Sequence, residues 1–577
     1  MALAILAVDL ADGVLFLGDV DDRMRALQIR HLLGSGTWFD PTFPFIAMPE
    51  PYLSPWSRLV DLPYLSITWL LAPFAGIDTA FKIATLAWPP ILLFGFCAAA
   101  VGVARAVAAA RLSLMELAGM AIVMTYALWE FTPGRIDHHN VQLVLMMAML
   151  AGFCLGGGEA EARRAGAGGV LAGCSAVLSV TVGLECLPFI LSAFGLVVPF
   201  AVLGDRNARQ RLACAGIAMV VSSVLSGLIF IGPSAMLTTA CDAWSAPWIV
   251  VMIGGGLILS AFALPQMARL RAIPQLLFLG VAAVALLAVL AILFPACLNG
   301  PYAMVDGISR SFWLDRVAQE ESALAFVADR QYGALAILGL CAFILIATVP
   351  CAGEVARKGD WRMLLVWLIA LTAFALTLWQ IRFVRFAPAF AALLLPWLLV
   401  AMRGKKGFMA VPLVMAAIFL SVGGVVLALV LTPERIRQYD AVDLMTWDQC
   451  EGADFSGIED LAPAHIIAPP GLSFPIAEIA ARSDGAITIS SLSFHRAAPG
   501  ISRVATAFSS KDSDARAKAL APFSVVAVCA RETSIDLSDA PLYAALASGK
   551  GWPGLLPIGA QPENGLRLFR LDHPNLR

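Results

Sequence analysis

The sequence has few charged residues. Only 14% of its 577 residues are Asp, Glu, Lys or Arg, whereas about 25% is usual for a soluble globular protein. The 39 basic and 41 acidic residues give a formal net charge of -2, so no basic excess exists to neutralise the phosphates of a nucleic acid. The cysteines show no CxxC pair and no zinc-type spacing. This composition excludes an ordinary soluble protein and a nucleic-acid-binding protein.

What the sequence has is long apolar runs, since 60% of its residues are hydrophobic. The runs are continuous rather than alternating, which excludes a transmembrane barrel. A helix needs roughly 20 mostly apolar residues to cross a bilayer. Twelve spans are predicted on this basis, near residues 80–103, 114–131, 141–156, 168–184, 187–203, 212–232, 247–266, 276–295, 334–351, 363–380, 386–402 and 408–431. The sequence therefore predicts a polytopic α-helical membrane protein.

A thirteenth apolar segment runs from Met1 to Val8 and is interrupted by Asp9 and Asp12. Either this first helix is short, or the true start of the protein lies upstream. The segment has no basic n-region, so it is not predicted to be a cleavable signal peptide. The stretch Leu62–Gly76 is short and contains two prolines, and it is predicted to be interfacial or re-entrant rather than spanning.

With about 13 spans, the loops rich in Arg and Lys all fall on one side, which the positive-inside rule makes cytoplasmic. The outer loops are then 18–61, 132–140 and 295–333, within a membrane domain of residues 1–431. Residues 432–577 contain charges, prolines and short β-type runs, and they are predicted to form a soluble α/β domain on the periplasmic face. Cys450 and Cys529 lie in this domain, and an oxidising compartment allows a disulfide between them.

Carboxylates gather at the outer end of the first predicted helix, where Asp19, Asp21 and Asp22 stand close together. Like charges at this spacing repel one another and favour binding of a divalent cation. The alternative is a solvated loop in which neighbouring arginines balance the charge.

A second cluster, Asp137-His138-His139, occupies a very short outer loop between two predicted spans. A carboxylate and an imidazole at positions i and i+2 of a turn can bind one ion, and this pair of ligands suits manganese, magnesium or zinc. The alternative is a capping turn in which Asp137 begins the next helix.

Three further clusters lie in the predicted outer regions. Arg382 and Arg385 lie where one helix leaves the membrane and the next returns, which suits binding of a phosphate or the anchoring of a helix at the interface. Trp56 and Arg58 suit sugar contacts or interfacial anchoring. The remaining candidates are acidic. They are Glu320 or Glu321 in the outer loop 295–333, and Glu185 at the end of a predicted span. Glu185 is predicted to face the protein interior or to pair with an arginine.

The order and sidedness of these clusters resemble the GT-C superfamily of membrane glycosyltransferases, and within it the catalytic subunit of oligosaccharyltransferase. The resemblance covers the architecture of the membrane part and about five short motifs. Asp21 or Asp22 matches a metal-binding aspartate of the family, and Asp137-His138-His139 matches the DxH form of its second metal motif. The family also has a glutamate in a long outer loop, and Glu320, with Glu321 as the alternative, loosely matches it.

The resemblance also implies that Arg382 or Arg385 binds the phosphate of a lipid-linked donor. His138 and Glu185 are further candidates for substrate binding. The tail of the family opens with a Trp-Trp-Asp motif that recognises the Ser or Thr of an asparagine sequon. Here only Trp447-Asp448 is retained. This difference favours a polysaccharide or lipid acceptor over a protein.

The expected function is transfer of a sugar or glycan from a polyprenyl phosphate or diphosphate to an envelope polysaccharide, lipid or protein. The reaction would be inverting and assisted by Mn²⁺ or Mg²⁺, at the periplasmic face of the inner membrane. One alternative is an oligosaccharyltransferase acting on protein. The other is a transporter or flippase of lipid-linked sugars, but the polar residues lie at outer helix ends rather than near the membrane midplane.

Overall fold

The computed structural model describes residues 19–34, 36–154, 161–328, 332–357, 360–403, 423, 440–483, 485–531, 535–559 and 561–572. The predicted N-terminal apolar segment and the predicted span over 408–431 lie outside the described residues. The remaining predicted spans all lie wholly or largely within them.

The described residues are mostly helical. The α-helices, in chain order, are α1 (Val20–Gly34), α2 (Asp61–Ala75), α3 (Ile77–Ala108), α4 (Leu114–Val123), α5 (Thr125–Leu128), α6 (His139–Cys154), α7 (Glu161–Val182), α8 (Leu187–Val202), α9 (Arg206–Phe230), α10 (Gly232–Ala235), α11 (Ala246–Ser260), α12 (Pro265–Arg269), α13 (Ala272–Leu293), α14 (Gly307–Phe312), α15 (Ala323–Ala328), α16 (Tyr332–Arg357), α17 (Trp361–Trp379), α18 (Phe386–Ala391), α19 (Leu395–Arg403), α20 (Ala441–Trp447), α21 (Ser473–Ala480), α22 (Ala498–Ser509), α23 (Ser513–Leu520) and α24 (Pro541–Ala547). The strands are β1 (Ala464–Ile467), β2 (Ile487–Ile489), β3 (Val525–Ala530), β4 (Leu555–Ile558) and β5 (Gly565–Leu571).

Eight helices of the described residues are long and apolar enough to cross a membrane, or nine if one bent pair forms a single span. The bent pair joins Leu114–Val123 to Thr125–Phe131 at an angle of 72°. The stretch Leu62–Gly76 is largely covered by α2, Asp61–Ala75, which has only 15 residues and is shorter than a bilayer crossing requires. The chain is a multi-pass helical membrane protein with a small sheet, as the sequence predicted, and the total of 13 spans stays a prediction.

The chain divides into two compact units. The membrane unit comprises the described residues within Trp56–Gly300 and Glu321–Arg435. The sheet unit comprises the described residues within Asp19–Pro55, Pro301–Glu320 and Ile436–Arg577. Thus two segments that the sequence analysis placed among the outer loops of the membrane domain are part of the same compact unit as the tail.

Small residues allow the central helices of the membrane unit to pack closely. An added Cβ at Gly169 would lie 2.3 Å from the carbonyl oxygen of Arg211, and one at Gly173 would lie 2.3 Å from that of Ala215. Both glycines are on α7 and both carbonyls are on α9. Gly216 of α9 makes a similar approach to Gly256 of α11, at 2.4 Å. Because lipid tails are as apolar as the helices, close van der Waals packing of this kind is what holds membrane helices together.

The sheet unit contains a five-stranded sheet in the order β2-β1-β3-β5-β4. Strands β2, β1 and β3 are parallel, whereas β5 is antiparallel to both β3 and β4. All six residues of β3 are buried, as expected for the central strand of a covered sheet. The small α/β part predicted for the tail is therefore present.

The two loop segments of the sheet unit are bound to the tail by specific contacts. Ile489 of β2 donates its backbone N–H to Phe45 (2.9 Å) and accepts from Ala47 (2.7 Å), so the first segment extends the sheet at its β2 edge. In the other segment, the guanidinium of Arg316 lies 2.9 Å from carboxylates of both Asp440 and Asp443.

Two disulfides are present in the described residues. Cys450–Cys529 joins the loop after α20 to β3 in the sheet unit, as the sequence analysis considered. Cys241–Cys297 lies in the membrane unit and connects the loop before α11 to the segment after α13. The second pairing was not predicted, although both of its cysteines fall on the side assigned as outer.

The close packing of α7 against α9 can be tested by Gly173→Ala. The added methyl group would overlap the carbonyl of Ala215, so the two helices must move apart. We expect a loss of about 1–3 kcal/mol of stability, measured as a lower melting temperature in detergent. Gly280→Ala on α13 is the matched control, because no atom lies within 4 Å of its added Cβ. Equal melting temperatures of the two variants would contradict the role given to Gly173.

Candidate active site

The turn that carries Asp137 joins a short 3₁₀ helix, Trp129–Phe131, to α6. Gly134 adopts a φ of 86°, a conformation that favours glycine, and its N–H donates to the carbonyl of Thr85 on α3 (3.1 Å). The side-chain amide of Asn140 donates to the carbonyl of Arg135 (2.9 Å). These hydrogen bonds hold the turn from both sides and fix the positions of the histidines that follow Asp137.

Asp137 bridges two imidazoles. Its Oδ1 accepts from the backbone N–H of His138 (2.5 Å) and also contacts the Nδ1 of that ring. Its Oδ2 lies 3.1 Å from Nε2 of His139. Asp137 and His139 are almost completely buried, at 1% and 0% exposure. The carboxylate and the two rings therefore form a compact cluster, as the DxH spacing predicted.

This cluster has the donor chemistry of a cation site. Ligand atoms of Asp137, His138 and His139 all lie within 4.8 Å of one another. His139 Nε2 makes no hydrogen bond within the described part of the chain, even though Asp137 Oδ2 is near. A buried nitrogen without a hydrogen bond is costly, and a cation held by Asp137 and His139 would remove that cost. A carboxylate and an imidazole suit manganese or zinc.

The electrostatic surroundings keep Asp137 ionised. Burial by itself would raise the pKa of this carboxyl group, but the adjacent ring of His138 and the guanidinium groups of Arg135 and Arg385 together hold the pKa below its usual value. An ionised carboxylate is the form that binds a metal ion.

Glu185 connects this cluster to one of the predicted phosphate-binding arginines. Its Oε1 lies 2.9 Å from Nδ1 of His139, and its Oε2 lies 3.8 Å from Nη2 of Arg382. The sequence analysis expected Glu185 to face the interior or to pair with an arginine, and in the structure its side chain is 7% exposed and lies within ion-pair distance of Arg382. The Arg382 side chain is 21% exposed, so its guanidinium combines a buried anionic partner with an accessible surface.

Arg385 has a different environment. Its Nη1 lies 3.3 Å from Glu130 Oε1, and the other oxygen of Glu130 lies 2.7 Å from Nη2 of Arg135. All three side chains are at most 8% exposed. Sequence reasoning missed Glu130, although an acidic residue at the end of an apolar span was the signal that could have identified it.

Trp56 and Arg58 also lie in the membrane unit. The Trp56 ring lies 5.8 Å from the His138 ring, centroid to centroid. Arg58 is 3% exposed, and its Nη1 lies 3.4 Å from Asp61 Oδ2. Its backbone N–H donates to the carbonyl of Phe230 at the end of α9 (3.1 Å). Trp56 therefore adjoins the candidate metal cluster, whereas the Arg58 side chain pairs with Asp61 at the start of α2.

The aspartates of the first outer loop lie in the sheet unit, at the beginning of α1. Asp19 Oδ1 accepts from the backbone N–H groups of Asp21 (3.0 Å) and Asp22 (3.1 Å). In return, Asp22 Oδ2 accepts from the N–H of Asp19 (3.1 Å). This reciprocal pattern is that of a capping box. Asp22 thus stabilises the helix start with its carboxylate, whereas Asp21 takes part in the cap through its backbone.

The two candidates for the loop glutamate are adjacent in sequence but belong to different units. Glu320 ends a short 3₁₀ helix, Ala318–Glu320, of the sheet unit. Glu321 belongs to the membrane unit, where its carbonyl accepts from the N–H of Ile381 (2.9 Å), the residue before Arg382.

Asp448 of the retained Trp-Asp pair is held by an arginine. Its carboxylate lies 2.5 Å from Nε of Arg531, accepts from Nη2 of the same residue (2.6 Å), and also accepts from the backbone N–H of Cys450 (2.9 Å). Gly471 approaches the Asp448 backbone so closely that an added Cβ would lie 2.3 Å from its carbonyl oxygen. Asp448 is therefore held by Arg531, which follows β3, and by the close approach of Gly471, which follows β1.

Loss of the Glu130 charge tests the buried ionic cluster. Glu130→Gln leaves Arg135 and Arg385 buried without their shared carboxylate, so we expect a loss of about 3 kcal/mol of stability, measured by thermal unfolding in detergent. Asp78→Asn is the control, because Asp78 is exposed in the first turn of α3 and its change should cost less than about 1 kcal/mol. Unfolding temperatures that fall equally in both variants would show that Glu130 has no special role.

No protein-family model and no curated protein sequence matches this chain. Solved structures of the oligosaccharyltransferase of Archaeoglobus fulgidus do match. The complex with an inhibitory peptide and dolichol-phosphate is 14% identical with a TM-score of 0.55, over 88% of this chain and 65% of that one. The complex with Zn and sulfate is 15% identical with a TM-score of 0.54, over 89% and 64%.

A third structure of the same enzyme, tethered to an acceptor peptide that contains an NVT sequon, is 13% identical with a TM-score of 0.56. Here the match covers 96% of this chain and 70% of that one. The chain thus spans about two thirds of the length of the archaeal proteins that it matches. At these identities the likeness establishes the fold. The chain has the fold of the archaeal oligosaccharyltransferase, and the predicted resemblance to this kind of enzyme is confirmed at the level of the fold.

Proposed function

We propose that this chain is a glycosyltransferase that uses a polyprenyl phosphate- or diphosphate-linked sugar or glycan. The observation that carries the proposal is the buried pair of Asp137 and His139, 3.1 Å apart without a hydrogen bond between Oδ2 and Nε2. Through Glu185 this pair is connected to Arg382, a partly exposed cation. A metal site beside a phosphate-binding group, in the fold of an oligosaccharyltransferase, suits transfer from a lipid-linked donor.

Asp137 and His139 would hold a divalent metal ion, and the family resemblance adds Asp21 or Asp22 and Glu320 as further ligands. Between the two aspartates we favour Asp21, because the Asp22 carboxylate caps α1. A bound ion would offset the negative charge that develops on the leaving phosphate. Mn²⁺ and Mg²⁺ are the expected metals, and the archaeal enzyme has been solved with Zn.

Of the two candidate arginines, Arg382 is the better phosphate ligand. Its side chain is 21% exposed, whereas that of Arg385 is 8% exposed and lies 3.3 Å from Glu130. A guanidinium that can present two N–H groups to phosphate oxygens gives both charge and orientation. Arg385 would then support this segment from within the protein.

In the proposed reaction, the bond between the anomeric carbon and the phosphate oxygen of the donor breaks, and its electron pair stays on the phosphate. A bond forms between the same carbon and the acceptor hydroxyl oxygen. The hydroxyl proton passes to the carboxylate of Asp21 or Asp22. A single displacement of this kind inverts the configuration at the anomeric carbon.

We place the reaction on the periplasmic side of the inner membrane. Two disulfides, Cys241–Cys297 and Cys450–Cys529, are consistent with this placement, because disulfides persist in oxidising compartments such as the periplasm. The Arg- and Lys-rich loops that the sequence assigns to the opposite side support the same orientation.

A polysaccharide or lipid acceptor is favoured over a protein. Only Trp447 and Asp448 remain of the motif that reads a sequon, and Asp448 is paired with Arg531. The second candidate, transfer to protein, is favoured by the likeness to the archaeal enzyme tethered to a sequon peptide. The likeness to structures of an oligosaccharyltransferase favours a transferase over a flippase.

The proposal can be tested by mass spectrometry of lipid-linked and envelope glycans. Cells that lack the chain would be compared with cells that express wild type, Asp137→Ala or, as a control, Asp539→Ala, which changes an exposed residue. We expect a polyprenyl-linked sugar to accumulate and its product to disappear in the deletion strain and with Asp137→Ala.

The missing product would identify the acceptor, and a missing glycoprotein would favour the second candidate. Accumulation of the intermediate on the cytoplasmic face, or wild-type glycans with Asp137→Ala, would contradict the proposed transfer.

A further inference from the structure

Glu185 has a largely buried side chain that makes two different contacts. It lies in a 3₁₀ helix, Leu184–Cys186, between α7 and α8, and its side chain is 7% exposed. One oxygen faces His139 at 2.9 Å and the other faces Arg382 at 3.8 Å. A single carboxylate thus contacts a candidate metal ligand and the candidate phosphate ligand.

The contact with His139 determines which ring nitrogen is available to a metal. Nδ1 of His139 lies 2.9 Å from Oε1 of Glu185, and we assign the tautomer in which Nδ1 carries the proton and donates it to this carboxylate oxygen. In the neutral imidazole, Nε2 then has the lone pair, and this atom lies 3.1 Å from Asp137 Oδ2. A carboxylate on the far nitrogen of a metal-binding histidine fixes the ring and increases its basicity.

The contact with Arg382 is an ion pair. Oε2 of Glu185 lies 3.8 Å from Nη2 of Arg382. The buried negative charge of Glu185 therefore limits where the guanidinium of Arg382 can lie.

The backbone around Glu185 is itself held in place. The N–H of Gly183 donates to the carbonyl of Ser179 (3.0 Å), and the carbonyl of Gly183 accepts from the side-chain amide of Gln142 on α6 (3.3 Å). An added Cβ at Gly183 would lie 3.0 Å from that amide nitrogen. Gln142 and His139 are both on α6, so the carboxylate is fixed relative to the imidazole that it contacts.

We propose that Glu185 is a positioning residue that couples metal binding to donor binding. It holds His139 in the form that presents Nε2 to the metal, and it holds Arg382 where the donor phosphate binds. The second part rests on the proposed function, whereas the first part depends only on the metal site.

The two contacts can be separated by two substitutions. Glu185→Gln keeps an oxygen that can accept from His139 Nδ1 but removes the charge that faces Arg382. Glu185→Ala removes both contacts. The full-length chain, purified in detergent, is titrated with Mn²⁺ and followed by electron paramagnetic resonance, and glycosyl transfer is measured as donor KM and kcat. Asp137→Ala shows which Mn²⁺ site is being measured, and circular dichroism checks folding.

For Glu185→Ala we expect Mn²⁺ affinity to fall about 10- to 100-fold, the usual effect of losing such a partner. For Glu185→Gln we expect Mn²⁺ affinity within about threefold of wild type, because the amide oxygen still accepts the hydrogen bond. Its donor KM should rise by about tenfold, because the restraint on Arg382 depends on charge. A merely structural role for Glu185 would give no such difference between the two variants.

Wild-type Mn²⁺ affinity in Glu185→Ala would overturn the positioning of His139, as would an equal loss of affinity in both variants. An unchanged donor KM in Glu185→Gln would overturn the coupling to Arg382. If the wild-type chain transfers no sugar, the proposed function fails, and the Mn²⁺ titration still decides the role of Glu185 at the metal site. If the wild type is active and both variants match it, only the present inference fails.

Discussion

The structure of the candidate site depends on the high cost of placing charge in a buried environment. Three acidic residues, Glu130, Asp137 and Glu185, lie among three arginines, and every one of the acids contacts a cation or an imidazole. Removing a charged group from water costs several kcal/mol unless partners compensate for it. Each charge therefore constrains its neighbours, and the cluster has few alternative arrangements. This restriction gives the site its order before any substrate is present.

The helices that carry these charges are held by contacts of another kind. The packing of α7 against α9 relies on glycines whose missing side chains let backbones touch. Since the histidine cluster begins α6 and Glu185 follows α7, any shift of these helices would change the distance between His139 and Glu185. Close packing in the membrane unit thus supports hydrogen-bond geometry at the helix ends. The geometry of the ionic cluster therefore depends on the glycine contacts between the helices.

Much of this structure could be predicted from the sequence, because the length of the apolar runs and the spacing of the metal-binding residue types can each be read from a short stretch of sequence. Hydrophobic length located the membrane helices, and the spacing of Asp137 and His139 located the candidate metal pair. Pairings between distant segments were harder to predict. The sequence around Glu130 does not indicate which arginines it will pair with. Similarly, the disulfide Cys241–Cys297 joins two cysteines that are 56 residues apart in the sequence. The division into two units was also not predicted, because the composition of a loop does not show which unit the loop will belong to.

The extension of the β2 edge by residues 45–47 has a consequence for biosynthesis. Phe45 and Ala47 emerge from the ribosome more than 400 residues before Ile489, their hydrogen-bonding partner. During synthesis this stretch stays without its partner while the intervening membrane helices are inserted. Pairing of such distant segments is slow, and an uncovered strand edge is prone to wrong pairing. The order of synthesis therefore makes residues 45–47 the part of the sheet that remains longest without its hydrogen-bonding partner.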